Sequence, residues 1–241
     1  MRATPVVLLA LLAGCAPPKG PDFFVVDPAT AGEIRGDVVF SGPADAAVAV
    51  DMEQDPGCQK LYGKDPKREQ LIVTGEGGGL GNVFVYVKKG LEGKKFAVPT
   101  NVARIEQRGC WFEPRVVGMQ AGQTVEVINS DPVTHNIHPE PRLNREWNQS
   151  QAPEDGPLKR KFSQPEVMIR VKCNVHRWMR AWVGVLEHPY FAVTGQDGKF
   201  VLKNLPPGDY TLVAWHEKLG EREAAVKVGP RGTVEQRFEM K

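Results

Sequence analysis

The sequence predicts an all-β protein of two units. Two observations lead there, and a third narrows the function. The 241 residues include 25 Gly and 20 Pro, a proportion that suits a turn-rich chain. Short runs of alternating apolar and polar residues recur along its length, and an apolar repeat of 3.6 residues is almost missing. The formal net charge is only +2, which argues against a nucleic-acid binder with its concentrated basic face.

Taken in order, residues 1–14 read as a secretory signal, with Arg2 followed by the apolar run Val6 to Leu12. That run is far short of the roughly 20 residues a membrane-crossing helix needs. It ends in Leu12-Ala13-Gly14-Cys15, which resembles the bacterial lipobox, so Cys15 is the expected site of lipidation. Residues 15–32, with Pro17, Pro18, Pro21 and Pro28, read as an extended tether. The alternation of Val83, Val85 and Val87 with Phe84 and Tyr86 predicts a strand that is apolar on both faces. Gly75 to Gly81 is glycine-rich but lacks the spacing of a phosphate cradle and opens a strand, not a helix. Asp197-Gly198 signals a hairpin, and Leu205-Pro206-Pro207-Gly208-Asp209 separates the next two strands. The final strand sets Val234, Phe238 and Met240 against Glu235, Arg237 and Glu239.

With Cys15 lipidated, three cysteines remain for an oxidising compartment, and three is odd. Cys58 and Cys110 lie in turn-like sequence without a neighbouring histidine and are expected to form a structural disulfide, leaving Cys173 with another task.

That task lies between residues 123 and 185. A strand over Gln123–Asn129 runs through Ser130-Asp131-Pro132 to His135-Asn136-Ile137-His138. Further on, Val167, Ile169, Val171 and Cys173 share one face of a second strand, which opens the loop Cys173-Asn174-Val175-His176-Arg177-Trp178-Met179. One thiolate, two imidazoles and a thioether form the ligand set of a mononuclear blue copper site. His138 is the competing imidazole for His135. Met179 as plain core, Cys173 and His176 as a catalytic pair, and a zinc site are the other readings of these residues.

On these residues the stretch 100–187 resembles a cupredoxin, and its Cys-x-x-His-x-x-Met loop with His-Asn-x-His upstream is most similar to amicyanin; the resemblance implies a Greek-key β-sandwich here, beside a second, smaller β-sandwich. The resemblance implies that His135, Cys173 and His176 bind one copper in its plane, that Met179 is the axial ligand, and that Asn136 ties the two ligand loops together. It also implies that His176 reaches the surface as the electron portal. Arg177, Trp178 and Arg180 border it, so they are the expected docking face for a redox partner with an acidic patch.

The histidine count speaks against multicopper enzymes, since His138, His188 and His216 are the only spares and lie on scattered segments. His216-Glu217 begins like a zincin motif but meets Gly220 where the second histidine belongs, and it reads as the surface of a hairpin. Gly36-Asp37-Val38-Val39-Phe40 and Asp197-Gly198-Lys199-Phe200 with Leu205-Pro206-Pro207-Gly208-Asp209-Tyr210 resemble a carboxypeptidase regulatory-like β-sandwich. Residues 33–99 and 188–241 are therefore expected to form one sandwich interrupted by the cupredoxin stretch, the alternative being two consecutive domains with an N-terminal β extension. The expected function is a lipid-anchored periplasmic or surface-facing bacterial electron carrier and not an enzyme. The alternative is a lipoprotein that delivers, stores or scaffolds copper.

Overall fold

A computed structural model describes residues 22–43 and 45–241. The signal segment and Cys15 lie outside the described residues. Among the described residues no helix is long and apolar enough to cross a membrane.

The chain is all-β: four of its sheets stack as layers, and the short strands Val48–Ala49 and Arg68–Glu69 pair as a separate two-stranded ribbon. The first sheet orders Lys199–Leu205, Gly32–Phe40 and Thr233–Met240, with the last two parallel. The second orders Phe191–Val193, Phe84–Lys89, Gly208–His216 and Gly220–Val228. The third orders Gln149–Gln151, His135–Glu140, Glu166–Lys172, Arg180–Leu186 and Val116–Gln120. The fourth orders Leu158–Lys161, Thr124–Asn129, Ala103–Gln107 and Phe112–Glu113.

Each gap between layers holds its own apolar cluster. Ile34, Val38, Phe200 and Phe238 of the first sheet meet Val85, Val87, Leu212 and Val228 of the second. Val117, Ile137, Ile169, Val171 and Val183 of the third meet Ile105, Phe112, Val125 and Val127 of the fourth. Between the second and third sheets, Phe84, Tyr86 and Val213 pack on Val116 and Leu186. The strand Phe84–Lys89 is therefore apolar on both faces because it belongs to an inner layer. The close approach of these layers requires glycine at two places. A Cβ on Gly184 would stand 2.5 Å from the Phe84 ring, and one on Gly118 would stand 2.4 Å from the Phe191 ring.

Three expectations about strands and surfaces are corrected. Val167 is 37% exposed and does not share the core face of Ile169 and Val171. A register shift lies between Glu166 and Ile169, where Met168 takes φ +56°, and such a bulge resets the alternation of the strand. Asp197-Gly198 does make a turn, with Gly198 at φ +70°. Its flanking strands nevertheless join different sheets, so it links two layers and does not close a hairpin. His216 is fully buried, not on a surface, because it falls on the face of its strand that carries Tyr210, Leu212 and Ala214 into the cluster between the first and second sheets.

The residue after it, Glu217, fastens those two sheets. Arg115 donates from Nε and a terminal nitrogen to its carboxylate at 2.7 and 2.8 Å, and Trp182 Nε1 donates at 3.1 Å. Both charged side chains are under a tenth exposed. Burial works against the Glu217 carboxylate, but Arg115 and Trp182 outweigh it and hold its pKa below the ordinary value. Breaking a buried pair typically costs about 3–5 kcal/mol. Arg115 also keeps Glu69 at 3.1 Å, so Glu217→Gln is expected to destabilise by about 3 kcal/mol, the lower end of that range, in urea unfolding at neutral pH. A group with a depressed folded pKa loses its contribution as pH falls through that pKa. The stability gap between wild type and Glu217→Gln is therefore full at pH 7 and closes in acid. A gap independent of pH would contradict this assignment.

Candidate metal centre

The centre lies at one end of the third sheet, where three neighbouring strands begin or finish. His135 opens the strand His135–Glu140, Cys173 directly follows Glu166–Lys172, and Met179 directly precedes Arg180–Leu186. Antiparallel pairing of Lys172 with both His138 and Arg180 brings these ends together. The loop between Cys173 and Met179 closes on itself through two backbone bonds. Cys173 N donates to the Met179 carbonyl at 3.2 Å, and Met179 N donates to the His176 carbonyl at 2.9 Å. Ahead of His135 the chain is shaped by Asn129, whose Nδ2 donates to the carbonyls of Val133 and Gln151 and whose Oδ1 accepts from Asp131 N.

His135, Cys173 and His176 are each at most 2% exposed, and their ligating atoms form one cluster. The Nδ1 atoms of the two imidazoles face each other at 2.9 Å, and Cys173 Sγ lies 3.7 Å from His176 Nδ1. A single metal with bonds of about 2.0 Å to nitrogen and about 2.3 Å to sulfur, the lengths zinc makes, spans these separations. Met179 is fully buried in the same apolar cluster as Cys173. Asn136 Oδ1 accepts from Asn174 N at 2.7 Å and from Cys173 Sγ at 3.2 Å, joining the strand of His135 to the loop of His176. His138 turns away, with Nε2 on Glu146 at 2.6 Å and Nδ1 on Asn174 at 3.1 Å.

The far nitrogens of both clustered imidazoles meet carboxylates. His135 Nε2 is 2.8 Å from Asp131 Oδ2, and His176 Nε2 is 2.6 Å from Asp55 Oδ2. Carboxylate acceptors place the ring proton on Nε2 and leave the Nδ1 lone pairs pointing into the centre. Burial disfavours charge on both rings, yet hydrogen bonds to Asp131, Asp55 and the Cys173 sulfur hold both pKa values above the ordinary one. Burial pushes the Cys173 thiol up, but bonds with His135 and His176 and the neighbouring backbone bring it down to about 6. Its thiolate, the soft ligand form, is thus accessible at neutral pH.

Cys58 and Cys110 form the expected disulfide, and Cys173 is free and buried. The disulfide is not remote from histidine, as the sequence suggested, since Cys58 Sγ lies 3.5 Å from His176 Nε2. Each half-cystine also donates its backbone N–H to one of the two carboxylates, Cys58 to Asp55 at 2.9 Å and Cys110 to Asp131 at 2.7 Å.

This arrangement overturns the expected portal. His176 is only 1% exposed, because the segment carrying Asp55 and the short helix Pro56–Tyr62 lies over its outer edge. Of the expected docking residues, Arg180 is engaged by Glu69 at 2.7 Å. Trp178 is half-buried, donates to the Cys110 carbonyl at 3.0 Å and lies against the His176 ring at 5.2 Å between centroids. Arg177 is exposed. Sequence reasoning missed Asp131 and Asp55. The first was signalled by its place four residues before His135. The second was signalled only by Asp-Pro, the usual opening of a helix, two residues before Gly57-Cys58.

No family model matches the chain, and no curated protein matches it in sequence. Among solved structures it is similar to Cu-containing nitrite reductase (NirK) from Thermus scotoductus SA-01, at 20% identity and TM-score 0.34, over 40% of this chain and 24% of that one. It is also similar to a purple cupredoxin from Nitrosopumilus maritimus, at 21% identity and TM-score 0.30, over 34% of this chain and 98% of that one. A mutant amicyanin in its Cu(I) form gives 18% identity and TM-score 0.31, over 42% of this chain and 97% of that one. The chain thus spans about a quarter of the nitrite reductase and nearly all of the purple cupredoxin and of the amicyanin.

The cysteine assignment has a direct chemical test. The Cys15→Ser variant, unfolded without reductant, is expected to give one thiol per chain, and after reduction three. Alkylation of Cys58 or Cys110 before reduction would refute the pairing.

Proposed function

We propose that the chain is a mononuclear copper protein that carries single electrons at the bacterial cell envelope. The observation that carries this reading is the buried trio of His135, Cys173 and His176, with two Nδ1 atoms and one thiol facing a common point. Two imidazoles and one thiolate select a soft, borderline metal over calcium or magnesium. Zinc prefers a fourth nitrogen, oxygen or thiolate donor, whereas the position of Met179 in the loop offers a weak thioether.

When bound, copper supplies a one-electron couple at a site whose ligands suit both oxidation states. The chain's residues do the rest. His135 and His176 would hold the metal through Nδ1 and Cys173 through sulfur, and Met179 would supply the weak thioether. Asn136 holds the two ligand loops together, so the ligands keep their places as the charge changes. Burial of the trio excludes water, which limits reorganisation around the centre. Closure of the site under a disulfide-tied segment favours a resident metal, and so a carrier, over copper delivery or storage.

In the same proposal, residues 100–187 form the cupredoxin-like unit, while 33–99 and 188–241 form one interrupted β-sandwich. Residues 1–14 are a signal, and Cys15 with the tether of 15–32 attaches the protein to a membrane through lipid. The redox partner carries an acidic patch that meets the exposed Arg177.

One equivalent of copper(II) is expected to give an intense visible thiolate-to-copper charge-transfer band. The band disappears in Cys173→Ser, and in Met179→Leu it shifts while copper stays bound. A colourless copper complex of the wild type would rule out the blue site.

A further inference from the structure

We infer that Asp55 is a positioning residue of the metal centre, delivered from outside the 100–187 unit to fix the tautomer and orientation of the His176 ring. The inference rests on the copper reading of His135, Cys173 and His176 given above. Asp55 uses both carboxylate oxygens. Oδ1 accepts from Cys58 N at 2.9 Å and caps the helix Pro56–Tyr62, while Oδ2 meets His176 Nε2 at 2.6 Å. The capping bond orients the carboxylate, and the disulfide from Cys58 to Cys110 anchors the segment that bears it to the rest of the site.

His176 needs such an anchor more than His135 does. His135 lies at the start of a strand and finds its carboxylate, Asp131, only four residues upstream, where Gly109 N and Cys110 N also donate to it. His176 lies in a loop, and its acceptor comes from 121 residues away in sequence. An acceptor at Nε2 obliges that nitrogen to carry the proton, so Nδ1 keeps its lone pair for the metal. The same carboxylate raises the donor strength of the ring and adds negative charge beside it, which favours the more highly charged oxidation state of copper.

Helix capping and ring positioning separate cleanly by substitution. In Asp55→Asn, Oδ1 can still cap the helix, and asparagine is among the best N-cap residues. The atom then left facing His176 Nε2 is an amide NH2, a donor, which drives the ring proton onto Nδ1. Asp55→Ser also keeps a capping hydroxyl but is too short to reach the ring. Glu53→Gln removes an exposed charge from the same segment and serves as the control.

The experiment uses the full chain in detergent, with two readouts. In the metal-free protein, 15N NMR of the histidine rings is expected to show His176 protonated at Nε2 in the wild type and in Glu53→Gln, and at Nδ1 in Asp55→Asn. In copper(II) competition titrations, Asp55→Asn is expected to lose about 10- to 100-fold in affinity, the usual effect of removing a carboxylate behind a metal-bound histidine. Asp55→Ser loses less, and Glu53→Gln retains wild-type affinity. The reduction potential of the Asp55 variants moves upward. An unchanged tautomer and unchanged affinity in Asp55→Asn would overturn the inference, as would an equal loss in Glu53→Gln. If wild type fails to bind copper, the copper reading falls by itself, and the metal-free NMR still decides whether Asp55 fixes the ring.

Discussion

The centre depends on one covalent link, the disulfide between Cys58 and Cys110. It joins a short helix near the N-terminus to the turn before the strand Phe112–Glu113, closing a separation of 52 residues. In the chain-entropy model a loop of that size stabilises by about 4 kcal/mol. Its structural effect is more specific than that. The amide of each half-cystine donates to a carboxylate, and each carboxylate holds one imidazole. Disulfide, carboxylates, imidazoles and thiol form one continuous network, buried except at the half-buried Asp55, in which the position of each group follows from the one behind it. A buried network of this kind stabilises only when every member is satisfied, and here each carboxylate oxygen that meets a ring is also tied to the backbone or lies beside an oxygen that is.

The layered packing makes that network possible. Four sheets with three apolar clusters between them set the third sheet in the interior, so the end of that sheet that carries His135, Cys173 and Met179 is held from two sides. Glu69 and Glu217 contribute by pairing with Arg115 and Arg180, which bind the N-terminal and C-terminal parts of the chain to the strands of the third sheet. The Asp55 segment reaches the centre because its flanks are fixed in this way, and Val48–Ala49 pairs with Arg68–Glu69 across its base.

Much of this was legible in the sequence, and the exceptions have physical causes. The all-β class, the two-faced strand at Val83–Val87 and the cysteine pairing follow from alternation and parity, which are local signals, whereas the choice of His135 over His138 beside Cys173 and His176 rests on the resemblance. Asp55 was not legible because its role depends on a contact 121 residues away, and a lone Asp-Pro is an ordinary helix opening. The bulge at Met168 escaped because alternation assumes an unbroken strand, and nothing in Glu166-Val167-Met168 announces a positive φ. Burial of His216 and Glu217 escaped for a third reason. Whether a hairpin end is surface depends on which layer its sheet occupies, and that is decided by packing between distant parts of the chain.

In the proposed electron carrier, closing the outer edge of His176 changes how electrons would reach the centre. Where a ligand imidazole is exposed, a partner touches it directly. Here the Asp55 segment stands in that position, and the nearest aromatic surface is the half-buried indole of Trp178, 5.2 Å from the ring between centroids. That indole is itself fixed by its bond to the Cys110 carbonyl, so the group nearest to the outside belongs to the same network as the ligands. In that carrier a route through Trp178 would add only a short step between the proposed copper and its partner. It would also separate two demands that an exposed histidine has to meet together. The imidazole can be held rigidly for the metal by a carboxylate, while the contact surface is formed by residues that do not ligate it.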